Sequence, residues 1–95
     1  MHIVFLKFTP NKGLAGEHMD GHKAWLQRGF ADGVFLLAGS LEPGLGGMIL
    51  AHQCSREELE ARVKDDPFVE NGVVGMEIYE VDPGRADERL QFLLA

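Results

Sequence analysis

The sequence predicts an α+β domain of β-α-β-β-α-β order, with a four-stranded antiparallel sheet and a short C-terminal tail helix. Three observations predict it. At 95 residues the chain is long enough for one domain and one core. Four short segments rich in β-branched and aromatic residues are separated by turn clusters, and two stretches between them carry apolar residues at helical spacing. The first two strand segments are apolar without alternation, so both faces of the sheet need cover.

His2 to Phe8 is nearly continuous in apolar residues and reads as the first strand. Thr9-Pro10-Asn11-Lys12-Gly13 is a turn cluster that ends it. Glu17 to Phe30 reads as the first helix. Met19, His22, Trp25, Leu26 and Phe30 fall along one stripe, with Lys23, Gln27 and Arg28 mostly off it. Gly33 follows as a C-terminal cap. Gly21 and Gly29 weaken the helix by about 1 kcal/mol each relative to Ala.

Val34 to Leu41 and Met48 to Gln53 form a hairpin across the turn-rich Glu42 to Gly47. Ser55 with Glu58 three positions later is a capping box, and it opens a second helix that runs to about Lys64. Leu59 and Val63 are its buried pair. Pro67 disfavours helix at Asp66 and breaks it. Val73 to Val81 is the fourth strand. Asp82-Pro83-Gly84 turns the chain into an amphipathic tail helix over Ala86 to Leu94, with Leu90, Leu93 and Leu94 on one side. Residues 1–82 thus form the domain and residues 83–95 the tail.

This order is the split-βαβ, or ferredoxin-like, arrangement. Its two helices cover one face of the sheet. A sheet with its other face in water would alternate apolar and polar residues, yet Ile3 to Leu6 and Val34 to Ala38 are unbroken apolar runs. Pairing sheet to sheet with a second copy is the simplest cover. The alternative is the tail folded over the open face.

The formal net charge of −6 and the scattered Lys and Arg argue against nucleic acid and against anionic membranes. The single cysteine, Cys54, allows no internal disulfide and fits a reducing compartment. The N-terminal apolar run is too short to span a membrane and has no basic segment before it. The expected location is the cytoplasm.

His22 is the most informative polar residue. It lies on the apolar stripe of the first helix beside Trp25 and Leu26, where an imidazole is either a core hydrogen-bonding group or an acid/base. Asp66 is its natural partner by type, and a carboxylate on one imidazole nitrogen leaves the other free. Asp66 could equally cap the turn at Pro67, and Asp65 competes with it. His18 and His22 have metal-ligand spacing, but no third ligand is evident and no metal is expected. Cys54 reads as a small filler and His52 as a strand surface residue. Gly44 to Gly47 is a hairpin turn or a pocket rim, and it lacks the features of a phosphate loop. Trp25 and Phe68 read as walls of a pocket or of the core.

Four motifs together resemble the YCII-related (YciI-like) family. They are His22-Lys23-Ala24-Trp25-Leu26, Leu37-Ala38-Gly39-Ser40, Gly46-Gly47, and Asp65-Asp66-Pro67-Phe68-Val69-Glu70-Asn71-Gly72-Val73. The likeness covers roughly residues 1–82. It implies a dimeric α+β barrel and a site built around a His and an Asp, carried here onto His22 and Asp66. One relative is a dehydrochlorinase of a chlorinated hydroxyquinol, so the resemblance brings elimination chemistry within reach. Many relatives have Gly-Pro where this chain has Gly39-Ser40, and Ser40 adds a hydroxyl at the pocket mouth.

The expected function is a small homodimeric enzyme that needs no organic cofactor. His22 acts as base or acid, Asp66 orients it, and Ser40, Trp25 and Phe68 contact a small, partly apolar molecule. The competing reading is a binding or accessory dimer in which His22 and Asp66 form only a structural hydrogen bond.

Overall fold

A computed structural model describes residues 1–94 of the chain. The strands are β1 (His2–Phe8), β2 (Phe35–Leu41), β3 (Gly46–Ala51) and β4 (Val74–Glu80). The helices are α1 (Ala15–Ala31), α2 (Arg56–Lys64) and the single turn α3 (Pro67–Glu70). Short 3-10 segments run over Pro10–Leu14 and Glu88–Leu94. The strands form one antiparallel sheet in the order β2-β3-β1-β4, which is the ferredoxin-like topology expected from the element order.

Register divides each strand between two environments. Val4 stands opposite Ile49 on one side and Ile78 on the other. All three are buried, and they form the central row of the core with Trp25, Leu59, Val63 and Phe68 from the helices. The strand period of two sends the intervening residues to the opposite face. Ile3, Phe5, Leu37, Met48, Leu50 and Tyr79 share that face by their pairing. The tail leaves it open: Leu37 is 54% and Tyr79 51% exposed, while Phe92 of the tail stands edge-on to His52.

The apolar run in β2 has a local cause in the structure. A register shift between Phe35 and Leu37 inserts one extra residue. The bulge lets Phe35 and Ala38 both fall on the helix-facing side, paired with Ala51 and Ile49.

Local sequence accounts for most boundaries. Thr9 caps the segment before α1 by accepting from the Asn11 amide at 3.0 Å, so the expected plain turn is a 3-10 segment and α1 begins two residues early. The Ser55–Glu58 capping box is formed reciprocally, at 3.1 and 3.0 Å, and opens α2. Pro67 ends α2 as expected and also starts α3, because its fixed φ suits a first helical position. Phe30, expected on the buried stripe, is instead 43% exposed and meets Phe35 edge-on.

Two glycines of α1 exist for close approach. A β-carbon at Gly29 would overlap the Phe35 ring. A β-carbon at Gly21 would sit 3.0 Å from Cγ of Pro67, so this glycine lets α1 approach the Asp66–Pro67 corner closely. That approach builds the site.

Candidate functional site

His22 projects from α1 toward the corner where α2 gives way to α3. Asp66 occupies that corner as the N-cap of α3, with the extended backbone imposed by the following proline. Its Oδ1 accepts from the Phe68 amide at 3.0 Å and lies 2.8 Å from Nδ1 of His22. The two alternatives for Asp66, turn cap and imidazole partner, are therefore served by the same oxygen. Asp65 is the exposed C-cap residue of α2 and takes no part in the pair.

Asp66 is fully buried, and its Oδ2 has no hydrogen-bond partner among the described residues. With Asp66 as carboxylate it can only accept, so the shared proton sits on Nδ1 of His22 and Nε2 carries the free lone pair. The imidazole is clamped by ring contacts as well. Phe68 stacks on it at 4.1 Å between centroids, with planes 4° apart. Trp25 lies 5.8 Å away on a plane tilted by 28°.

A cavity of about 340 Å³ opens between α1 and the helix-facing side of the sheet. That volume is at the lower end of small-molecule sites and suits a one-ring ligand. Met19, His22, Lys23 and Leu26 of α1 form one wall. The hairpin supplies the other, where Ser40 stands opposite Gly47 in register.

Of the residues expected at the site, His22, Ser40 and Phe68 line the cavity, and Asp66 is sealed behind His22. Trp25 does not reach the cavity. It is 2% exposed, its indole nitrogen donates to the Arg62 carbonyl at 2.9 Å, and it forms the packed layer beside His22. Lys23 does reach it, although the helical stripe read from the sequence left it out. The signal was present: Met19, His22, Lys23 and Leu26 are an i, i+3, i+4, i+7 set, which is one helix face.

Neither remaining candidate forms a centre. His18 lies 3.5 Å from the Asn71 amide nitrogen, and the described residues contain no group of three or more His, Cys, Asp or Glu placed to hold a metal ion. Burial, and then the Glu58 carboxylate, push the Cys54 thiol above its ordinary range, which disfavours the thiolate needed of a nucleophile.

No helix among the described residues is long and apolar enough to cross a membrane. The fold is similar to that of 5-chloro-2-hydroxyhydroquinone dehydrochlorinase from Burkholderia phenoliruptrix AC1100, solved in complex with 2,5-dihydroxybenzoquinone. The TM-score is 0.72 at 18% identity, covering 87% of this chain and 94% of that one. No curated protein matches the sequence. The YCII-related domain matches residues 1–83, nearly the whole chain. The chain therefore belongs to the YCII-related domain family.

Proposed function

We propose that this protein is a small enzyme of elimination, isomerisation or lyase type that moves a proton with His22. The observation that carries the reading is the imidazole itself: it lines a cavity with Nδ1 tied to Asp66. In an elimination, Nε2 takes a proton from a substrate carbon. The C–H pair becomes a double bond, and the leaving group departs with its own bonding pair. The resulting imidazolium is held by Asp66 until the proton passes to the leaving group or to water. Asp66 is a positioning residue in this scheme, and its unpartnered Oδ2 keeps a strong acceptor beside the proton it anchors. Ser40 and Phe68 contact the substrate, and no organic cofactor is required.

The structural neighbour's dehydrochlorinase activity and quinone ligand support a small ring compound as the substrate class. Proton exchange and elimination assays on such compounds test the reading. H22Q should lose about 10²–10⁴-fold in rate while keeping its unfolding midpoint. Unchanged turnover in a folded H22Q would refute it.

One observation favours a non-catalytic binding or accessory module. The same Asp66 oxygen holds α1 to α3, so the pair also has a structural use. A folded wild-type protein that binds ring compounds without exchanging their protons would decide for that module.

We also propose that the working form is a homodimer paired through the open sheet face. The support is the apolar set that this face presents, from Ile3 and Phe5 to Leu37 and Tyr79, with Leu37 and Tyr79 left half exposed among the described residues.

A further inference from the structure

The cavity is poor in polar side chains, and those it has share a character. Among the described residues that line it, His22, Lys23 and Ser40 are the only ones able to donate a hydrogen bond from a side chain, and there is no Asp or Glu. The rest of the lining is apolar or glycine. The Lys23 side chain makes no ion pair or hydrogen bond with any described residue. Its stem lies along the face that Met19 and Leu26 share, so the aliphatic part covers apolar surface and the ammonium is left to find a counterion. The chain as a whole carries a net charge of −6, so a free cation at the mouth of its apolar cavity runs against the general field.

From this we infer that the cavity takes a small planar molecule bearing an anionic oxygen, and that Lys23 binds that oxygen. The oxygen belongs to a carboxylate or to an ionised phenol or enol. Ser40, on the facing wall, donates a second hydrogen bond to it. The inference rests on the cavity being the ligand site, as in the proposed function, but not on turnover.

The charge balance supports it. In the base form that the proposed function requires, a neutral imidazole on a carboxylate, the His22–Asp66 pair carries a net charge of −1, and an anionic ligand adds a second negative charge beside it. Lys23 offsets the ligand's charge. When Nε2 takes a proton, the C–H pair becomes the new double bond as the leaving group departs, and the oxygen keeps its negative charge, so the ammonium holds the substrate through the step. Binding and proton removal thus call on the same cation.

The test follows the backbone amides of Ser40 and Gly47 by nuclear magnetic resonance in the full chain. Two probe pairs, each an anion with a neutral ring of similar size, are titrated: benzoate with benzamide, and para-nitrophenolate with nitrobenzene. The wild type should bind each anion about tenfold or more tighter than its neutral counterpart. K23M should lose that preference yet still bind the neutral rings, and K23R should keep it. H22Q should also keep it, which separates Lys23 from an imidazolium as the source of attraction. A carboxylate preference without a phenolate preference, or the reverse, identifies which oxygen acid the site takes. Equal affinity for anion and neutral ring in the wild type overturns the inference. So does a preference that survives in K23M, or the absence of shifts at Ser40 and Gly47 with all four probes. Turnover is measured separately in H22Q, so failure of the anion preference and failure of the acid/base reading are distinguishable.

Discussion

Asp66 Oδ1 holds two groups at once, the Phe68 amide at 3.0 Å and the His22 imidazole at 2.8 Å. One atom thereby starts a helix and sets the tautomer of a ring in the cavity wall. The two uses respond differently to substitution. D66N keeps an oxygen for the Phe68 amide but loses the charge that anchors a proton on Nδ1. It should unfold near the wild-type midpoint and lose most of any His22-dependent activity. D66A removes the cap as well and should cost about 1–3 kcal/mol of stability by urea unfolding. Equal activity of D66N and wild type would show that the carboxylate is only a cap.

Gly29 is a helix-interior glycine, so replacing it with Ala gains about 1 kcal/mol of helix propensity. The added methyl meets the Phe35 ring, which is itself packed on Trp25. Overpacking of this kind costs about 1–3 kcal/mol. G29A should therefore be destabilised or neutral by thermal unfolding. A clear gain in midpoint would show that Phe35 has room to move.

The capping box makes a pH-dependent contribution. Hydrogen bonds from the Ser55 amide and then its hydroxyl hold the Glu58 carboxyl below its ordinary value of 4.5. A lowered folded value means that the unfolded chain binds more protons in the window between the two. The contribution is therefore fully present above the unfolded value and is lost as pH falls through the folded one. S55A should cost about 1 kcal/mol near neutral pH. It should also flatten the acid limb of the stability profile just below pH 4.5, which denaturant melts across that range would show.

The open sheet face leads to an assembly prediction. Leu37 is 54% exposed and sits opposite Leu50, among the apolar residues of that face. L37E should leave circular dichroism unchanged and convert a dimer to a monomer by light scattering. A wild-type protein that is monomeric at all concentrations would remove the proposed pairing. The polar cluster at the edge of the face, in which Glu77 bonds Lys7 at 2.9 Å and Tyr79 at 2.7 Å, is then expected to lie at the rim of the contact.

Much of the fold was legible because its determinants are local. Ser55 and Glu58 are three residues apart and cap the same turn whatever surrounds them. The apolar runs at His2 to Phe8 and Val73 to Val81 mark strands by side-chain period alone. The bulge in β2 was less accessible, since an extra residue and a two-sided strand produce the same unbroken run. The tail was expected as an amphipathic helix and is a short 3-10 helix with Leu90 and Phe92 about half exposed.

The sequence by itself determined the element order, the topology class and the residue types that could form an acid/base pair. Only the tertiary structure decided which atoms meet. His22 and Asp66 are 44 positions apart, and no spacing rule reaches across that separation. The choice of Asp66 over Asp65 depends on the Gly21–Pro67 contact, where a missing β-carbon lets two backbones close. The same packing sets how α1 is rotated against the sheet. That rotation buries Trp25 in the core, one of the two places the stripe allowed it, and brings Lys23 to the cavity, where the stripe alone had left it out. Helical period fixes which side chains share a face, but the direction of that face comes from long-range packing.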